Sequence, residues 1–351
     1  MKSISKMSIL LSGLRFSMAR KVTIQDISRE AGTSPSTVSR VLTGSAPVSD
    51  AKRDAVLQAI ERLNYHPSSI ARSLRSKVTY SVGLLLNDIS NPFYGVVARG
   101  IEDEANRAGY SLILCNTNED PAREQQYLQV LRSKQVDGII LGPTGDNIDF
   151  IRELSEQIPI VLTDRALPGC DHLSAVLVDN EAGSCRAVTQ LIENGHKRIA
   201  MVRWQKQVAT MAQRTAGYEW ALREHHIALD PALMIDVPAL SVESTAAVMQ
   251  QMFADGVDFT AIFALNNQLG LGVLSAIQAS ALRIPDDVAL VVFDDSPMFS
   301  LFSPPITAIE QPAFAIGEQA MRLLLKQMQD PEHYQPETVV LRTRLVKRES
   351  V

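Results

Sequence analysis

Residues 22–42 read VTIQDISREAGTSPSTVSRVL, a pattern of two short helices joined by a tight turn. Thr23 is placed to cap the first helix, with Ile24, Ile27 and Ala31 on one face. Ala31-Gly32-Thr33 breaks that helix, because Gly32 can take the positive φ of a sharp turn. Ser34 caps the second helix, and Pro35 falls at its first position, where a missing N–H costs nothing. Val38, Val41 and Leu42 recur at helical spacing and point inward, leaving Ser36, Thr37, Ser39 and Arg40 outside. A short helix with an apolar back and a small polar front carrying one Arg is what the major groove of DNA admits. Ordinary helical hairpins share the pattern, so the residues that follow it decide between the two.

A third helix from Ser49 places Val56, Ile60 and Leu63 inward and completes a miniature core. Tyr65-His66-Pro67 and then SSIARSLRSK (68–77) come next. With these residues the chain resembles the DNA-binding headpiece and hinge of the lactose-repressor (LacI/GalR) family of bacterial transcription regulators. The resemblance runs over nearly the whole chain from Lys21 onward, through DISNPFYGVVARGIE (88–102), VDGIIL (136–141), VDNEAG (178–183), LIENGHKRIA (191–200) and IPDDVALVVFDD (284–295). It implies a headpiece over 21–66, a hinge over 67–78, and an effector-binding and dimerising body over 79–351. It also implies that Thr23, Ser34, Pro35, Ser36, Thr37, Ser39 and Arg40 meet operator DNA, and that Ser68, Ala71 and Leu74 of paired hinges enter the minor groove. Leu74 is the wedge by motif position, and such wedges kink the duplex at the cost of unstacking. Pro35 donates no hydrogen bond and suits a thymine methyl, whereas Arg40 is a natural bidentate reader of guanine. Arg20 and Lys21 suit phosphates.

Charge is distributed as this reading requires. The 351 residues carry a net charge of −5, but residues 1–78 hold 13 Lys and Arg against 5 Asp and Glu, and the rest is acidic. A small basic module on a large acidic body confines nucleic-acid binding to one end. Three widely spaced cysteines, Cys115, Cys170 and Cys185, with no CxxC, argue against a disulfide framework or a zinc site and suit a reducing cytoplasm. No apolar run approaches the ~20 residues that span a membrane. Residues 1–20 form an N-terminal extension expected to be disordered; SILLSGL within it is too brief for a signal peptide.

From Thr79 short apolar runs alternate with amphipathic helical patterns. The runs are Val82–Leu86, Leu112–Cys115, Gly138–Leu141, Ile158–Leu162, Val176–Val178, Ile199–Val202, Ala261–Leu265 and Val288–Phe293. Such alternation predicts βαβ units and an α/β body of two doubly wound parallel-sheet subdomains, with a ligand cleft where strand C-termini meet. The resemblance implies the same architecture, shared with periplasmic sugar-binding proteins. Crossovers are expected near Asp179, Thr307 and Pro336, giving an N-subdomain of 79–178 plus 308–336 and a C-subdomain of 179–307 plus 337–351.

Polar groups cluster after the strands: Asn87, Asp88, Ser90, Asn91 and Phe93; Asp164 and Arg165; Arg203; Arg214, read as opening a helix; Asn266 and Asn267; and Asp294. The resemblance assigns these positions to effector binding, most firmly Arg214 and Asp294. Asn and Asp after strands also cap the next helix. Asn267 stands where the family usually has Asp, and Arg203-Trp204 replaces a glycine-rich pair. A cleft gaining Arg203 beside Arg214 and losing a carboxylate is expected to favour a sugar acid or sugar phosphate. The resemblance thus implies a repressor of carbohydrate or sugar-acid genes that binds a pseudo-palindromic operator as a homodimer and needs no metal or cofactor. A tetramer would need C-terminal heptads, and VKRESV supplies none. A solute-binding protein without DNA control is the competing class, and it lacks a use for the basic headpiece. An enzyme would need a motif such as GxSxG, HExxH or a P-loop, none of which occurs.

Overall fold

The computed structural model describes residues 22–43, 46–65, 78–206 and 208–351. The expectations for residues 1–20, for Lys21 and for the hinge residues Ser68, Ala71 and Leu74 lie outside the described residues. The chain parts between Lys77 and Val78 into two compact units.

In the first unit, α1 (Ile24–Glu30), α2 (Pro35–Thr43) and α3 (Asp50–Arg62) surround a core of Ile27, Val38, Val56, Ala59 and Tyr65. Thr23 and Asp26 form a reciprocal capping box: the Thr23 N–H donates to Asp26 Oδ2 at 2.9 Å, and the Asp26 N–H to Thr23 Oγ1 at 3.3 Å. Gly32 takes φ +59° at the turn. Ser49 precedes α3 as its N-cap residue.

The second unit holds two six-stranded sheets. The first orders β11 (Thr338–Leu341), β5 (Ser174–Val178), β4 (Ile160–Thr163), β3 (Gly138–Leu141), β1 (Ser81–Leu86) and β2 (Ser111–Asn116), all parallel. Val82, Leu84 and Leu86 pack on one face under α4 (Pro92–Arg107) and α11 (Ala313–Gln329). Leu85, Ile139 and Leu141 pack on the other, with Leu128 and Leu131 of α5 (Pro121–Ser133) and Ile151 and Leu154 of α6 (Ile148–Ser155). Burial of both faces is why these strands read as unbroken apolar runs. Helices α4 and α11 cross closely at Gly100 and Gly317, where a Cβ on Gly100 would come within 2.2 Å of the Phe314 carbonyl oxygen.

The second sheet orders β12 (Arg344–Val346), β10 (Thr307–Glu310), β9 (Ala289–Phe293), β8 (Ala261–Ala264), β6 (Ile199–Trp204) and β7 (Met234–Val237), with only β12 antiparallel. Helices α7 (Asn180–Glu193), α8 (Ala209–Glu224), α9 (Val242–Ala254) and α10 (Asn267–Ala279) accompany it.

Two expected boundaries move. β10 pairs β9 and so belongs to the C-subdomain, which puts the second crossover at Gln311-Pro312 rather than near Thr307. β11 pairs β5 and so extends the N-subdomain to Leu341, with the last crossover at Arg342-Thr343 rather than Pro336. Both strands are four residues long, and only their pairing partners reveal which sheet they join. The first and last crossovers are tied together: the Thr343 N–H donates to Asp179 Oδ1 at 2.6 Å, and Arg186 Nη2 donates to Asp179 Oδ2 and the Thr343 carbonyl at 3.0 Å each.

Candidate functional site

In the first unit Ser34 Oγ accepts from the Thr37 N–H at 3.2 Å and lies 2.8 Å from Ser36 Oγ and 2.9 Å from Thr37 Oγ1. The cap thus fixes the start of α2 and turns its front outward. Pro35, Ser36 and Arg40 are exposed, while Thr37 and Ser39 are half-buried beside them. Thr23 is engaged as a cap, its Oγ1 also donating to Asp26 Oδ2 at 2.6 Å. The exposed set offers one hydroxyl, one apolar ring and one guanidinium on a helix whose back is pinned by Val38, as base-edge readout requires.

In the second unit the strand C-termini of both sheets converge on a small polar cavity. Its charged walls are two arginine–carboxylate pairs. Arg214 is buried, with Nη1 donating to Asp294 Oδ2 at 3.1 Å and the Leu265 carbonyl at 2.7 Å, and Nε donating to Asn180 Oδ1 at 2.9 Å. Its guanidinium stacks on Phe293, 3.8 Å from the ring centroid. Arg165 makes the second pair, a fork onto Glu119 with Nη2 to Oε1 at 2.6 Å and Nη1 to Oε2 at 2.8 Å. Between these pairs Tyr94 Oη donates to Asp164 Oδ2 at 3.0 Å. Burial pushes the Asp164 carboxyl above its usual range against the pull of Arg165 and Arg214. Burial and the neighbouring Asp164 push the Tyr94 phenol well up.

Asp164 at φ +68° and Asp294 at φ +71° both sit in the left-handed region, each at the C-terminus of a strand. That conformation is unusual for a residue other than Gly, and it concentrates where a site demands a particular side-chain aim.

Asp88, Asn91, Phe93, Asp164, Arg165, Arg214, Asn266 and Asp294 all line this cavity. Two of them also serve as caps: Asn91 accepts from the Phe93 N–H at 3.1 Å to start α4, and Asn266 from the Leu269 N–H at 2.8 Å to start α10. Arg214 lies inside α8, which begins at Ala209, rather than opening it. Arg203 does not line the cavity. It lies on β6 beside β7, and its Nε donates to Asp236 Oδ1 at 2.8 Å, so its charge is spent on a cross-strand neighbour outside the cavity lining. Asn267 is buried and reaches across to Asn91. Sequence reasoning missed Tyr94, Glu119, Thr210, Gln268 and Gln311. Gln311 sits at the second crossover with Nε2 donating to Asp294 Oδ1. The misplaced crossover hid it, and correct placement of β10 would have found it.

With carboxylates of Asp88, Glu119, Asp164 and Asp294 against two arginines, the lining carries an excess of negative groups. Among the described residues no group of three or more His, Cys, Asp or Glu is arranged to hold a metal ion. No helix there is long and apolar enough to cross a membrane.

A helix-turn-helix unit joined to a two-subdomain body with a polar cleft defines a ligand-responsive DNA-binding regulator. Residues 23–68 match the model described as bacterial regulatory proteins, lacI family, and residues 188–351 match a periplasmic binding protein-like domain. The chain is 36% identical to the HTH-type transcriptional regulator RegA of Clostridium saccharobutylicum, over 93% of this chain and 98% of the relative. It is 37% identical to the ribose operon repressor of Halalkalibacterium halodurans, over 93% and 96%. Among solved structures the lac repressor dimer bound to operator and an anti-inducer superposes with a TM-score of 0.83 at 25% identity, covering 94% of this chain and 99% of that one. This chain belongs to the LacI family of bacterial regulatory proteins.

Proposed function

We propose that this chain is a cytoplasmic transcriptional repressor that binds a pseudo-palindromic operator as a homodimer and is switched by a neutral, polyhydroxylated small molecule held between its subdomains. The observation that carries this reading is the pairing of two devices on one chain: a helix-turn-helix with Arg40 exposed, and a polar cavity lined from two separately folded sheets. One headpiece touches too few base pairs for tight specificity, and a two-fold pair reads two half-sites. Leu301, Met298 and Phe302 form an exposed apolar patch on the C-subdomain, which suits a second copy of the chain.

The neutral effector replaces the acidic one expected from the sequence. That expectation rested on Arg203 and on Asn267 standing in place of a carboxylate; Arg203 is paired with Asp236, and the Asn267 amide is paired with Asn91. Arg214 and Arg165 are already paired with Asp294 and Glu119, and with Asp88 and Asp164 the lining holds four carboxylates against two guanidinium groups, so an incoming carboxylate or phosphate would meet an excess of negative charge. Hydroxyl groups suit such a lining, because they donate to carboxylates and accept from guanidinium without net charge. The ribose operon repressor among the relatives places pentoses first in the panel.

The protein acts by binding. An effector that prefers one arrangement of the subdomains shifts the operator affinity by its differential affinity for the two states, and the operator shifts effector affinity equally. The test is selection of bound duplexes from a random pool with and without neutral pentoses and hexoses, followed by calorimetry. Saturable binding of a neutral sugar that changes affinity for a selected palindrome is expected. Binding confined to sugar acids and phosphates, or no duplex preference under any condition, overturns the reading.

A further inference from the structure

We propose that the cleft is held shut by the protein's own side chains, through an amide clasp between Asn91 and Asn267 that works without any effector. The two residues belong to different subdomains and form a reciprocal pair. Asn91 Nδ2 donates to Asn267 Oδ1 at 3.1 Å, and Asn267 Nδ2 donates to Asn91 Oδ1 at 2.8 Å. Beside them Gln268 Nε2 donates to Asp88 Oδ2 at 2.8 Å, and the Lys206 ammonium lies 3.1 Å from Asp146 Oδ2. All three links join the N-subdomain to the C-subdomain, and each starts from a loop after β1, β3, β6 or β8, away from the strands that carry the crossovers.

The clasp is fixed from both sides. Asn91 Oδ1 also receives the Phe93 N–H, so the amide cannot flip without uncapping α4. Asn267 is the first residue of α10, immediately after its cap Asn266, and is buried. Its amide therefore finds its partner across the cleft when the subdomains meet, and water when they part. An aspartate at 267 would keep one of the two bonds and set a carboxylate oxygen against Asn91 Oδ1, where an N–H now points. The uncharged pair is thus the version that closes without ligand and without dependence on pH.

Two amide hydrogen bonds shift a closing equilibrium by roughly tenfold or somewhat more. The effector then adds to a population already biased toward closure, rather than creating it. A variant lacking the clasp should bind the operator, with no effector present, as though moved away from the effector-bound state. Its change in operator affinity has the opposite sign to the effector's own effect, whichever sign that is.

Trp204 is a native reporter, because Lys206 lies 5.8 Å from its ring centroid while reaching Asp146 across the rim. The experiment uses the full chain with Trp220→Phe, so that Trp204 alone emits, and compares it with Asn267→Ala and with Gln268→Ala. Without DNA or sugar, both variants should show red-shifted emission and stronger acrylamide quenching than the parent, at unchanged helical circular dichroism. Emission and quenching equal to the parent in both overturn the clasp. If Asn267→Ala loses its fold, Asn267→Asp, which keeps one of the two bonds and sets a carboxylate oxygen against Asn91 Oδ1, decides by the same readout. The measurement needs neither operator nor effector, so its failure is separate from failure of the regulatory reading.

Discussion

Replacing Arg214 by Met and Asp294 by Asn together should destabilise the protein far less than the sum of the two single changes. Arg214 and Asp294 have side chains 3% and 8% exposed and lie 3.1 Å apart. Arg214→Met leaves a buried carboxylate whose remaining partner is Gln311, and it orphans Asn180 Oδ1 and the Leu265 carbonyl. Breaking a buried pair from one side costs about 3–5 kcal/mol, or a midpoint lower by roughly 6–15 °C for a unit of this size. Asp294→Asn should cost a comparable amount, since the buried guanidinium then loses the carboxylate that balances its charge. In Arg214→Met/Asp294→Asn no charge is left unmatched, and the remaining cost is the two orphaned acceptors, about 1–3 kcal/mol each at most. The two single changes should therefore sum to about 3 kcal/mol more than the double. Urea denaturation of the full chain at one fixed protein concentration measures all four corners of the cycle, the fixed concentration removing assembly effects. Additivity within about 0.5 kcal/mol would refute the claim that the cavity wall is a mutually compensated pair.

The α4 glycines give a test with opposite signs in one helix. Gly100→Ala should lower the thermal midpoint by an amount equivalent to about 1–3 kcal/mol or more, because its Cβ meets the Phe314 carbonyl at 2.2 Å. Gly95→Ala, with nothing within 4 Å, should raise it by about 0.5–1 kcal/mol. Glu124 is fully buried and its carboxyl is pushed up by burial, despite hydrogen bonds from Asn147 and Thr144. A raised folded-state value means the native form binds the extra proton first, so this group favours folding at low pH and that contribution is lost as pH rises from about 4.3 upward. The stability advantage of wild type over Glu124→Gln should accordingly shrink between acid and neutral pH in parallel denaturation series; a constant difference would contradict it. Arg40→Ala should relax discrimination at one base pair of each half-site by about 1–3 kcal/mol while leaving the body's melting unchanged, measured by competition among single-base variants of a selected duplex.

The parts of the molecule that could be read from sequence are those whose signal is local. The headpiece is such a part: Thr23, Gly32, Ser34 and Pro35 each carry a cap or turn function within a few residues, and the structure uses Thr23 and Ser34 as caps and Gly32 at positive φ. The apolar runs of both sheets were legible for the same reason, as were Asp164 and Asp294, which end strands. What was hidden depends on neighbours far away in the chain. β7 is four residues with Asp236 in its middle, too short for a period, and its position beside β6 is what neutralises Arg203. Glu119 reads as one acid in the loop TNED until the fold brings Arg165 to it from 46 residues away.

The same distant pairings tie the cavity wall to the chain crossings. Arg214 holds Asn180 at the first crossover with one arm and Asp294 with another, and Asp294 holds Gln311 at the second crossover. A ligand hydroxyl that draws on Arg214 or Asp294 therefore pulls on residues set between the subdomains. The cavity walls and two of the three chain crossings form one hydrogen-bonded chain of four side chains. A rigid cleft would need no such chain, since caps alone place Asn91 and Asn266. A fold that placed the effector residues on loops independent of the crossovers could bind as tightly, but occupancy would then leave the relative setting of the two sheets unchanged. Coupling requires that binding distinguish two arrangements, and here Arg214 and Asp294 of the cavity wall are hydrogen-bonded to Asn180 and Gln311 at the first and second crossovers.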